Sequence, residues 1–424
     1  MKTWLRGHSI TIDEVQGAYE AWLKSRAGKK HGDKVFELFG SPDNLVNEIY
    51  SEIKGRCLKF DTIRYFMRRE KTNGKLRRIG IQSIKQQVCD YLVVRALQGL
   101  LDAKLGYYQC ASVPGKGQVF AKKHIEKWYA EGGYFAKHDI RKCFPSVDTV
   151  VLMAFLRKHV GSEDILYVIE VAIANYGTKK EPCGLNIGSY LSQYLANLVL
   201  SIVYHHIEGL HKFRRETRHA LVTHQLWYMD DLVMFSKSKR DLLMAMRDVE
   251  RFINDELNMS VKPWKVCKCG DDPLDMVGYV IDARGTRLRP QLYLRSRRSL
   301  ERMGRKPCIS RARRCVSYWG FMKHSDCGLM RMAYKETFDY SKRYISAWER
   351  RHACSAQKDR SESKCISEQT GSQNASSVAT STRSKTPRET RRSNAIKSCS
   401  PASTRKRTSK STKTSSGASS TRRR

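Results

Sequence analysis

The sequence has no pair of cysteines at C-x-x-C spacing, although it contains thirteen of them. Cys267 and Cys269 stand closest, and no histidine pair at ligand spacing accompanies them. That excludes a zinc site or a disulfide framework and leaves reduced thiols as the expectation. No apolar run approaches the roughly 20 residues that a membrane span requires. The N-terminus lacks the long apolar stretch of a signal peptide, so the expected setting is cytoplasmic, with no membrane partner. No repeat period is visible. Acidic residues are scarce: 42 Asp and Glu face 79 Lys and Arg, a formal net charge of +37. Such an excess goes beyond solubility and points to a polyanionic partner, most simply nucleic acid.

That excess is not confined to one end. Residues 355–424 hold 17 Lys and Arg against 4 Asp and Glu, so residues 1–354 still carry +24. Ser and Thr supply 29 of the last 70 residues, and apolar residues are few there. A segment of that composition cannot offset its ordering entropy by burial, so a disordered basic tail is expected. It reads equally as a nucleic-acid arm, as a solvated tail without a specific role, or as a shifted reading frame. The remaining length is enough for a large core, in one multi-lobed domain or two to three domains.

Residues 1–60 read as helices, with Ile12, Val15, Tyr19 and Leu23 on one face. Residues 62–82 read as a β-hairpin, because Asn73-Gly74 separates two strand-like runs. An amphipathic helix is expected over 84–104, a strand over 134–140 and helices near 147–160 and 191–209. A strand-turn-strand at 226–236 precedes a helix at 239–257, where Leu242, Met246, Val249 and Ile253 keep the helical period. A two-stranded ribbon fits 274–289, and 291–350 reads as basic helices containing Tyr318 and Trp319. Trp319 reads first as a core residue and second as a base-stacking one.

The tip of the 226–236 hairpin is Tyr228-Met229-Asp230-Asp231. Adjacent carboxylates in a tight turn repel unless a cation sits between them. Hard oxygen ligands side by side suit Mg²⁺, and such pairs recur where two ions drive an in-line displacement at phosphorus. A third carboxylate on a neighbouring strand would complete the clamp. Asp139, at the end of the 134–140 strand and 91 residues before Asp230, is the candidate.

The Tyr-x-Asp-Asp turn resembles the catalytic hairpin of reverse transcriptases, and the resemblance extends in order over about 60–350. It implies an α+β right-hand polymerase with an antiparallel palm sheet. N-terminal helices and fingers would occupy 1–130, with the 60–82 hairpin packing over the palm. The palm would occupy 131–290 and the thumb 291–354, followed by the 355–424 tail. It implies two Mg²⁺ ions, with Mn²⁺ as the alternative, held by Asp139, the backbone carbonyl of Ile140, Asp230 and Asp231. Lys75, Arg77 and Arg78 resemble the fingers motif that grips the incoming triphosphate, and a guanidinium forks well onto phosphate oxygens. Phe144, five residues past Asp139, stands where the family carries the aromatic that collides with a ribose 2′-OH; an ordinary core aromatic is the alternative. Ser112 to Gly117 resembles the turn between fingers and palm. Gly278 and Tyr279 resemble the primer grip. Lys262 and Lys265 both lie where the family places the lysine that protonates pyrophosphate, and the sequence does not choose between them.

Ile187-Gly188 followed by Ser192-Gln193 narrows the resemblance. Most reverse transcriptases show Gln-Gly-x-x-x-Ser-Pro in this motif, which lines the nascent base pair. The exchange is similar to the pattern of diversity-generating retroelement enzymes, which copy a template-repeat RNA into cDNA and misincorporate opposite adenine. A glutamine can hydrogen-bond near the sugar, whereas isoleucine offers only branched apolar bulk. Losing such a contact is worth about 1 kcal/mol of selectivity. The implied partners are template RNA, primer or cDNA, deoxynucleoside triphosphates and a small basic helical accessory protein, in a bacterial or phage-infected cell. No RNase H or HNH-type endonuclease segment is recognisable, nor the Val-Thr-Gly segment of retron enzymes. A defence-associated or retron-like bacterial reverse transcriptase is the alternative. A non-catalytic RNA-binding protein on a polymerase scaffold is the alternative of another class.

Overall fold

The computed structural model describes residues 3–70, 74–177 and 184–352. The proposed tail and the Asn73 half of the Asn-Gly turn lie outside those residues.

The fold is a mixture of helices and antiparallel sheets, as expected. Strands β1 (Arg64–Arg69) and β2 (Leu76–Ile81) form the first hairpin, pairing from Arg64↔Ile81 to Arg69↔Leu76. Then come β3 (Tyr134–Asp139), the short pair β4 (His211–Arg214) and β5 (Thr217–Ala220), β6 (His224–Tyr228), β7 (Asp231–Ser236) and β8 (Val266–Lys268). The central sheet has the order β6-β7-β3-β8, with every neighbour antiparallel. Strands β9 (Leu274–Met276), β10 (Tyr279–Asp282) and β11 (Gly285–Leu288) make a separate antiparallel sheet. The expected two-stranded ribbon is therefore three-stranded.

The central sheet is covered on both faces, so its strands carry apolar residues at successive positions rather than at alternate ones. Ala136, Leu232 and Met234 join the core built by helices Tyr190–Gly209 and Lys239–Leu257. Phe135, Val233 and Phe235 face the other way, against helix Gln118–Ala130 and the β9–β11 sheet. Beyond lie helices Pro290–Arg305 and Ile309–Lys323 and a helical stretch over 335–352. Trp319 stacks on Phe338 there, ring centroids 4.1 Å apart, which favours its core reading.

Two helical expectations shift. In helix Ile12–Lys24 the buried face is Val15, Ala18, Tyr19 and Trp22, while Ile12 and Leu23 are exposed. Trp22 rotates the face because it buries the most area and finds a partner for its indole N–H in Gln87 at 3.0 Å. The segment 84–104 is two helices, Ile84–Ala96 and Gln98–Lys104. The first is enclosed by neighbouring helices and buries polar Gln86 and Asp90 as well as apolar residues, which leaves Arg95 as its one exposed side chain.

Candidate active site

Strand register builds the site. β3 and β7 pair from Tyr134↔Ser236 to Asp139↔Asp231. Side chains alternate along a strand, so Lys137, Asp139 and Asp231 share one face and His138 turns to the other. Beyond β6 the chain reverses through Met229 and Asp230, between the paired Tyr228 and Asp231. Met229 takes a φ of 55°, the left-handed value that the first central residue of a primed two-residue turn requires. The Ile140 N–H donates to the Asp230 carbonyl at 3.3 Å and ties the hairpin tip to the end of β3. Three carboxylates thus reach one end of the central sheet.

Burial raises the Asp230 carboxyl above the ordinary range, and the charges of Asp231 and Asp139 add to it. Burial also raises Asp231, against the pull of Lys137, Arg289 and Lys262. The Lys262 ammonium contacts Asp139 Oδ2. Lys137 Nζ lies 4.0 Å from Asp231 Oδ1. Asp139 Oδ1 is buried without a hydrogen-bond partner. Among the described residues no three His, Cys, Asp or Glu side chains close around one point. The donor chemistry nevertheless fits a hard divalent cation: the oxygens are carboxylate oxygens, one is orphaned, and lysines already supply positive charge there.

The carboxylates open into a cleft of about 1010 Å³. Asp139, Ile140, Asp230 and Asp231 line it, with Phe144 and Ile187, Lys75, Arg77 and Arg78, and Lys262 and Lys265. Arg77 Nε bonds Glu70 Oε1 at 2.5 Å, and the Arg78 guanidinium lies 3.7 Å from the Tyr65 ring centroid. Lys265 stands exposed at the rim, 4.0 Å from Asp272. Phe144 is half-buried and touches both the cleft and the main core.

The motif around Ile187 is bound to the first hairpin. Gly80 N–H donates to the Ile187 carbonyl at 2.9 Å. Gly188 has a φ of 123°, and a Cβ there would sit 2.5 Å from the Gly80 carbonyl oxygen. Glycine is therefore required at Gly188 by both conformation and approach. Gly188 itself does not line the cleft, and neither do Gln193, Gly278 or Tyr279. Gln193 Oε1 accepts from Ser112 Oγ at 2.9 Å. Tyr279 is buried in the second core and donates its hydroxyl to the Phe321 carbonyl at 3.5 Å. Gly278, at φ 91°, accepts from the Arg289 N–H at 3.0 Å. That bond delivers Arg289 to the cleft edge, where its guanidinium holds Asp275 at 2.6 Å.

Sequence reasoning missed Lys137, Arg289 and Asn186 at this cleft. Lys137 was open to inference, two residues before Asp139 and hence on its face. Asn186 had no signal: it is 1% exposed, and neither its amide nitrogen nor its oxygen has a partner. Asp90 was missed as well. Its buried carboxylate accepts from Ser189 Oγ at 2.7 Å and from Leu191 N–H at 3.2 Å, directly behind Ile187-Gly188.

The family model for reverse transcriptase (RNA-dependent DNA polymerase) matches residues 69–281, half of the chain. No curated protein matches. Among solved structures, apo telomerase from Candida tropicalis truncated from its C-terminal domain is similar at 14% identity and a TM-score of 0.39. That match covers 58% of this chain and 60% of the telomerase chain. A second apo telomerase structure from the same organism gives 14% identity and a TM-score of 0.38, covering 55% and 49%. The chain thus spans less than two thirds of the solved chains it matches. No helix among the described residues is long and apolar enough to cross a membrane.

Proposed function

The chain belongs to the reverse transcriptase family, and from that premise we propose that it is an RNA-directed DNA polymerase working at the Asp139–Asp230–Asp231 cluster. The observation that carries this is the register pair Asp139↔Asp231 beside the hairpin tip, at the head of a cleft with a basic rim. Residues 1–130 would be N-terminal helices and fingers, 131–290 the palm and 291–354 the thumb.

Reverse transcriptase domains use divalent metal ions. Asp139, Asp230, Asp231 and the Ile140 carbonyl would hold Mg²⁺, or Mn²⁺ in its place. When bound, the ions supply activation of the primer 3′-hydroxyl and charge stabilisation at the α-phosphoryl group. Arg77 would exchange Glu70 for phosphate oxygens of the incoming triphosphate, with Lys75 and Arg78 beside it. Phe144 would exclude a ribose 2′-OH. The contact with Asp139 supports Lys262 over Lys265 as the group that leaves its carboxylate and protonates the departing pyrophosphate.

The finer reading is a retroelement enzyme that copies a template-repeat RNA and misincorporates opposite adenine, with a small basic accessory protein as partner. The Ile187-Gly188 and Ser192-Gln193 pattern supports it, and so does the apolar Ile187 side of the cleft. Two near-identical repeats beside the gene, differing mainly at adenines, are the expected genomic companion.

Asp230→Ala with Asp231→Ala should abolish primer extension on an RNA template in Mg²⁺ while RNA affinity stays. Surviving extension would show that the site is elsewhere.

A further inference from the structure

The β4–β5 hairpin has no part in the cleft. It enters and leaves the body through the Leu221 N–H to Leu210 carbonyl bond of 3.0 Å, just before β6 begins. The first residue of β6, His224, pairs with Phe235, and its last, Tyr228, pairs with Asp231. The hairpin therefore starts at the sheet end remote from the carboxylates, about 13 Å away at the usual strand rise.

Its own residues are exposed on both faces from Phe213 to Ala220. Phe213 is 77% exposed, more than any other aromatic side chain among the described residues. Phe213 pairs directly with Arg218, so ring and guanidinium lie on one face, and Arg218 also contacts His211 Nδ1 at 3.3 Å. Arg214 falls on the other face and Arg215 at the tip. Arg215 and Glu216 take φ of 47° and 64°, a primed turn built without glycine or asparagine. Lys212 is a strut rather than a contact: its ammonium bonds both oxygens of the buried Asp241, at 2.6 and 2.5 Å, and fixes the hairpin to helix Lys239–Leu257. By contrast Arg214, Arg215 and Arg218 reach no carboxylate among the described residues.

We propose that the β4–β5 hairpin binds unpaired RNA outside the cleft. Phe213 and Arg218 offer a stacking platform to bases, and Arg214 and Arg215 offer charge to the phosphates. A flat aromatic beside a guanidinium suits unstacked bases better than a closed duplex, whose bases are already stacked on each other. The proposal rests on the polymerase reading only in the choice of RNA over other polyanions. It assigns the hairpin to the part of the template RNA not being copied.

The test uses the full chain and two RNA probes: a stem with an unpaired loop, and the same stem as a blunt duplex. Phe213→Ala with Arg218→Ala should weaken stem-loop binding about tenfold. Duplex binding and extension of a short homopolymer template should stay unchanged. Arg214→Ala with Arg215→Ala should reduce the salt dependence of stem-loop binding by about two counterions. Equal stem-loop affinity for all variants would overturn the proposal. So would equal losses on loop and duplex, which mean plain charge, or lost homopolymer extension, which means a role in the fold. Capture of a protein by the hairpin with RNA affinity unchanged would assign it to protein contact instead. Failure of the polymerase reading looks different: wild-type protein would not extend the homopolymer at all.

Discussion

At the residue scale, Ile187 connects a motif to a physical consequence. It lines the cleft with branched apolar bulk, and its carbonyl is held by Gly80. The side chain thus faces the cleft on a backbone that is fixed from the other side. A polar side chain at the same place would regain a hydrogen bond to the nucleotide. Ile187→Gln should lower misincorporation opposite template adenine severalfold, read by sequencing products of a defined RNA. An unchanged error spectrum would remove Ile187 from the account of selectivity. Residues of this kind were legible in the sequence because a motif carries them. Asn186, next to it, was not: a buried amide without a partner leaves no mark in spacing or composition.

At the element scale, the loop before helix Tyr190–Gly209 is held from behind by Asp90 on helix Ile84–Ala96. Ser189 Oγ, besides donating to Asp90, caps Ser192 N–H at 3.1 Å and bonds the Tyr176 hydroxyl at 3.1 Å. Burial pushes the Asp90 carboxyl from 3.8 up to about 6, against donors from Ser189, Leu191 and Gln82. A folded pKa above the unfolded one means that the fold binds the proton more tightly. That contribution is complete below 3.8 and is lost as pH rises through about 6. It amounts to about 3 kcal/mol. Stability of the wild type relative to Asp90→Asn should therefore fall across that window, measured by denaturant unfolding. A flat difference would show that Asp90 does not titrate there. The sequence suggested an amphipathic helix at this place. It could not show that neighbouring helices close around it and turn its polar residues into internal ties.

The hairpins make the same point about turns. The 62–82 and 226–236 hairpins were readable, one from Asn-Gly and the other from paired apolar runs about a short polar tip. The β4–β5 hairpin was not, because Arg215 and Glu216 fill positive-φ positions that glycine or asparagine usually announce.

For the whole molecule, charge and core separate cleanly. Two apolar clusters meet at the central sheet, one on each face, and leave the basic excess on the surface and cleft rim. Residues 1–354 carry +24 after every Asp and Glu there is set against a Lys or Arg, so the ion pairs within the fold leave that excess untouched. RNA affinity should then fall steeply with salt, by about 10³-fold over a fourfold rise in ionic strength. Titrations by fluorescence anisotropy at several salt concentrations would measure the slope. A shallow slope would mean that few phosphates are contacted at once.

The sequence alone determined the class of chemistry and the sign of the partner. Adjacent carboxylates, a third one at a strand end and a basic body are local or additive properties, and they do not depend on packing. Only the tertiary structure decided which lysine touches Asp139, that Gln193 bonds Ser112 instead of lining the cleft, and that Asp90 stands behind Ile187. Each of these depends on contacts between segments far apart in the chain, and no residue spacing encodes such distances.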